Sequence, residues 1–326
     1  MLHKIVRFSF WFMILTGLLI SCTKKEYAIP DPVSQLTNDC IKRSLGPNIA
    51  NLPMEFAYAM AIPKPLGKLV TAQVEATYAG AAGTFLENRS FYTNTSGVDI
   101  PVLVGAPSFN LDKSTIMTFN VDTNAATLRY YYIVPDSSMG KTVSFKFSVS
   151  GSNGQSASYN MGPYTISKMS IKKNLAVSNG ANAYISIEDM AVYNATAAAA
   201  NPGKIDLVYL YRASPTTFTH AMVSPGADPA YLPGVTLPAG VNKTAKIRKV
   251  FGLQDRNLAN LQYGIYVDDI DFQQLDMMDM PSYSIGLRAE SGIWVETSDK
   301  KYRAYIYVNS INAAGTAVIS MLRYTM

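Results

Sequence analysis

The chain has 326 residues, with 28 Lys and Arg against 23 Asp and Glu, and only 16% of its residues are charged. Of its two histidines, His3 lies in an N-terminal leader, so His220 stands alone and a multi-histidine zinc centre is excluded. The basic residues are scattered apart from the Lys243–Lys249 run and form no arginine-and-aromatic stripe, which argues against nucleic acid as a partner.

Residues 1–21 read as a signal peptide. Lys4 and Arg7 supply the positive n-region, and Phe8 to Ile20 is an apolar run too short to span a bilayer. The run ends in Leu19-Ile20-Ser21-Cys22, which resembles the bacterial lipoprotein box. That resemblance implies cleavage before Cys22 and acylation of both its thiol and its new amine, a multi-chain anchor that binds a membrane stably. Residues 22–35 are polar and broken by Pro30 and Pro32, as suits a lipidated tether. Thr23 is not a retention aspartate, so the expected destination is the outer membrane and the cell surface, with the membrane as partner through Cys22. Only Cys40 then remains, and no intrachain disulfide framework can form.

From Met54 onward the chain is dominated by period-two patterns. Met54, Phe56, Tyr58, Met60 and Ile62 alternate with small or polar residues, and Val70 to Tyr78 repeats the pattern. Leu36 to Gly46 admits a short helix or an extended lead-in. Ile100–Val104, Met117–Val121, Leu128–Val134 and Tyr159–Ile166 are further strands. Val143, Phe145, Phe147 and Val149 alternate strictly with Ser144, Lys146 and Ser148. The expectation for residues 36–168 is an immunoglobulin-like β-sandwich. Residues 169–326 read as a second, β-rich α+β domain, so the fold class is mainly β. It should contain strands at Tyr184–Ile187 and Ile205–Tyr211, a helix over Glu188–Ala200, and a long loop from Ala213 to Gly240. A helical turn at Leu258–Gln262, a strand at Gly264–Val267 and a three-strand meander from Gly292 to Arg323 complete it.

Three groups of residues offer chemistry. Asp268, Asp269, Asp271, Asp276 and Asp279 form an acidic run open to a solvated loop, to calcium or to paired-carboxylate catalysis, although its spacing fits no calcium loop. Tyr130, Tyr131 and Tyr132 are consecutive, so at least one must face outward, where it could stack on a sugar. Met277 and Met278, with His220, have the donor types of a haem axial pair, although methionine is equally core filler. No serine-elbow motif accompanies His220.

The chain resembles the uncharacterised surface lipoproteins of Bacteroidetes-type gut bacteria. The resemblance is carried by Asn38–Pro47, Glu55–Ala61, Ala125–Tyr132, Ser186–Tyr193, Lys204–Arg212 and Lys301–Val308. A looser one joins Lys204–Arg212 and Gly292–Val308 to haem-capturing lipoproteins, whose histidine pair this chain lacks. The first resemblance implies fold and location without an activity. The expectation is a non-enzymatic binding module with no resident cofactor or metal, taking a glycan beside an outer-membrane transport partner. Haem capture by the C-terminal domain is the alternative.

Overall fold

The computed structural model describes residues 34–259 and 264–326. The leader, Cys22 and the tether up to residue 33 lie outside the described residues.

The first half contains β1 (Thr37–Lys42), β2 (Pro53–Ala61), β3 (Leu69–Ala76), β4 (Phe85–Leu86), β5 (Arg89–Thr93), β6 (Asp99–Leu103), β7 (Phe109–Leu111), β8 (Ser114–Thr118), β9 (Ala125–Ile133), β10 (Thr142–Gly151) and β11 (Ser156–Thr165). One sheet has the order β1-β2-β9-β4 and the other β11-β10-β3-β8-β7, while β5 and β6 form a separate hairpin. Leu36 to Gly46 is therefore extended at its centre, with Cys40 paired to Tyr58. Alternation decides the packing. Met54, Phe56, Tyr58 and Met60 on β2 and Val143, Phe145, Phe147 and Val149 on β10 are all buried in one core between the sheets. Their rings interlock, with Phe56 4.8 Å from Phe145 and Tyr58 5.1 Å from Phe147. Burial pushes the Cys40 thiol up to about 12, so it is a packed, unreactive side chain.

The second half contains β12 (Met169–Ser178), β13 (Tyr184–Ser186), β14 (Ala191–Tyr193), β15 (Leu207–Arg212), β16 (Thr219–Val223), β17 (Lys246–Phe251), β18 (Tyr283–Leu287), β19 (Ser291–Glu296), β20 (Tyr302–Asn312) and β21 (Thr316–Thr325). Three short α-helices accompany them among the described residues: α1 (Ala195–Ala200), α2 (Arg256–Ala259) and α3 (Asp269–Gln274). Two five-stranded sheets, β12-β21-β20-β19-β17 and β14-β13-β15-β16-β18, enclose a core of Ile247, Ile293, Ile306, Met321, Tyr209 and Met222. Each sheet is also covered on its outer face. Trp294, Tyr305 and Tyr324 pack there with Phe272 and Met277, and Val208, Ala221 and Val223 with Ala198 and Leu232. Both sheets thus lie between two apolar layers.

That double burial corrects several expectations. The Ala213–Gly240 segment is not a long loop, because Thr219–Val223 forms β16 between β15 and β18. The helix expected over Glu188–Ala200 is confined to α1. Residues Ala191–Tyr193 pair with β13 instead, and the Asn194 side chain accepts from Ala197 N at 2.8 Å to start the helix. Gly264–Val267 holds only an isolated bridge from Ile265 to Asp255. Substituting Phe147 by Ala, where the ring is fully buried among Phe56, Tyr58 and Tyr130, should cost about 3–5 kcal/mol. A lowered urea midpoint with an unchanged slope would register it.

Candidate functional site

A groove of about 1150 Å3 opens where edge strand β18 and edge strand β17 of the opposite sheet approach each other. Its inner wall is Tyr211 and His220. His220 is only 4% exposed, and the Tyr209 hydroxyl meets its Nδ1 at 2.6 Å. If that hydroxyl donates, the ring proton sits on Nε2, the nitrogen with no partner among the described residues. The Tyr211 ring lies 4.6 Å from the His220 ring. Gly315 makes room for it, because a Cβ there would come within 2.9 Å of the Tyr211 ring.

The outer wall is basic and aromatic. Lys249 Nζ donates to Ile285 O at 2.5 Å and Gly286 O at 3.0 Å, and lies 4.8 Å from the centre of the Phe251 ring. Gly286 is required at this point. Its φ is +64, and a Cβ would meet Thr217 O at 3.1 Å. Gly286 interrupts β18, where the pairing with β16 slips between His220 and Met222. Thr219, a β-branched residue at φ 40, carries backbone strain at the edge of the groove. Arg288 is exposed beside Lys249, and no Asp or Glu lines the groove among the described residues. Burial and, after it, the Arg288 charge hold the Lys249 ammonium below its ordinary value. Burial likewise lowers His220.

Residues 33–166 match the DUF4466 family and residues 167–326 the DUF8576 family, both described as domains of unknown function. A crystal structure of a DUF4466 family protein from Parabacteroides merdae is 48% identical, with a TM-score of 0.85. The match covers 90% of this chain and 100% of that one. The chain belongs to the DUF4466 family. No protein of curated function matches it.

In this DUF4466 protein the residues singled out from sequence are dispersed. Tyr130 and Tyr132 fill the core of the first half, and burial raises Tyr132 to about 12. Tyr131 faces outward, but its ring is stacked on Phe85 at 4.8 Å and 17°, which covers one aromatic face. Met277 is buried beside Trp294 and Phe272, Met278 is 74% exposed, and His220 lines the groove in another cluster. The three therefore do not form a ligand set. Four of the five acidic residues in the run make structural hydrogen bonds. Asp268 and Asp271 form a capping box on α3, Asp269 accepts from Ser167 Oγ and Lys168 N, and Asp276 accepts from Met278 N at 2.9 Å. Tyr211, Lys249, Phe251 and Arg288 went unrecognised in the sequence. The available signals were Gly286 inside a strand-like run and the one concentration of basic residues, Lys243–Lys249.

The buried His220 makes stability pH-dependent. Its folded value lies below the ordinary 6.5, so on acidification the unfolded chain takes up a proton that the folded chain resists. Stability is then lost as pH falls through 6.5. Between pH about 7.5 and 5.5 the wild type should lose more stability than H220Q, as urea melts at the two pH values would show.

Proposed function

We propose that this DUF4466 protein is a non-enzymatic binding protein, held on the outer membrane by lipid at Cys22, whose groove receives a saccharide. The observation that carries the reading is the pairing of an exposed aromatic face with neutral polar groups along one open groove. The 60% exposed Phe251 supplies the face, and Thr216, Thr217, Thr219 and Asn312 line the groove with hydroxyls and an amide. Sugar rings have an apolar face and a rim of hydroxyls, and a wall of this composition meets both. The absence of any carboxylate from the lining, among the described residues, supports binding over acid–base chemistry. The glycan role first read into Tyr131 moves to this groove because Phe85 covers part of the Tyr131 ring.

Affinity electrophoresis of the full chain through gels carrying polysaccharides tests the reading. F251A should weaken retention about tenfold, a loss of about 1.4 kcal/mol, while Y131A leaves it unchanged. The reverse ordering would move the site to the first half, and no retention by any polysaccharide would reject a saccharide ligand. For the anchor, C22S should shift the protein from the detergent to the aqueous phase on cloud-point partitioning, and an unchanged distribution would count against lipidation.

A further inference from the structure

We infer that the groove selects an acidic saccharide, one bearing carboxylate or sulfate groups, and that Arg288 and Lys249 are the residues that read its charge. The inference rests on the saccharide reading above. Its basis is an imbalance at the outer wall. Two cationic side chains from different sheets, Lys249 on β17 and Arg288 just beyond β18, stand on the same groove, and no acidic residue lines it among the described residues. Arg43 with Glu55, Arg129 with Asp99, Lys204 with Asp189 and Arg303 with Glu296 form ion pairs. Among the described residues Arg288 and Lys249 form none, and these two share one groove.

What each cation touches sharpens this. The Lys249 ammonium is fixed by two backbone carbonyls, neutral acceptors that orient it without cancelling its charge. After burial, the Arg288 charge is a second cause that disfavours the Lys249 ammonium, and an anion on the groove would offset it. A guanidinium presents a planar fork of donors that matches a carboxylate or sulfate in bidentate fashion, and such charge-assisted bonds are about twice as strong as neutral ones. The Phe251 ring beside Lys249 gives the sugar that carries the anion a surface to lie on. The two features address one ligand, an anionic group attached to a ring.

The test measures binding of the full chain to three defined probes: polygalacturonate, which carries carboxylates, chondroitin sulfate, which adds sulfates, and neutral dextran. The expected result is binding to one or both acidic polymers and at least tenfold weaker binding to dextran. R288Q, which removes no side-chain hydrogen bond among the described residues, should lower affinity for the acidic polymer at least fivefold at an unchanged melting temperature. K249Q should act in the same direction, and raising the salt concentration should weaken wild-type binding more than that of R288Q. Which acidic polymer binds identifies carboxylate or sulfate as the group recognised. Dextran bound as tightly as the acidic polymers would overturn the inference while leaving the saccharide reading intact. Binding to none of the three would overturn both, and acidic binding indifferent to R288Q and K249Q would remove these residues from the site.

Discussion

His220 is a polar ring on a strand with no solvent face, and the 2.6 Å hydrogen bond between its Nδ1 and the Tyr209 hydroxyl makes that position tolerable. Burying an imidazole without a partner would cost roughly 1–3 kcal/mol. The Tyr209 hydroxyl has the matching problem, because burial raises the energy of its charged form and its own polarity needs a partner. The pair solves both. It also fixes β15 against β16 in a register that sets Tyr211 opposite His220 and brings their rings into contact. Met222 follows His220 toward the inner core while Ala221 and Val223 point to the outer one, so a shift by one residue would place the imidazole among the aliphatics around Val208.

The first half was legible because its sheets have one buried and one exposed face. Where a strand meets a core on one side only, residues alternate, and Val143-Ser144-Phe145-Lys146-Phe147 reads as nothing else. In the second half the same logic fails for a physical reason. β15 and β16 are both buried on two faces; the apolar run Ile205–Tyr211 still reads as a strand, but His220–Val223 is short and carries no period to detect. A short buried strand flanked by Pro215 and Pro225 then looks like loop. The alanine-rich run misled in the opposite sense. Helix propensity is uniform from Ala195 to Ala200, but upstream the pairing of Tyr193 with Tyr184 holds the chain extended, and Asn194 marks the true start.

The groove residues were hidden by a different cause. Tyr211, His220, Lys249, Phe251 and Arg288 come from three separate strands and one strand end, and only topology joins them. Residue types and local spacing, which raised Met277, Met278 and His220 together, carry no information about which sheet edge meets which. The tyrosine triplet shows the limit well. Alternation requires that Tyr131 face away from Tyr130 and Tyr132, but it cannot show that Phe85 on β4 will stack on the outward ring.

Lys249 joins the structural and chemical arguments. β18 ends its sheet, and an edge strand leaves backbone carbonyls without strand partners. The Lys249 side chain, reaching from the edge of the other sheet, satisfies two of them at Ile285 and Gly286. Gly286 has to be a glycine for the backbone to turn its carbonyl into that position beside Thr217. A lysine engaged in this way has already lost much of its rotamer freedom, about 1.5–2 kcal/mol for a fully fixed side chain. Its charge is therefore presented at a fixed point before any ligand arrives. A cation held by neutral carbonyls keeps its field, whereas one paired with a carboxylate would not. The bond that closes the edge of the sheet thus leaves the groove preorganised and positive.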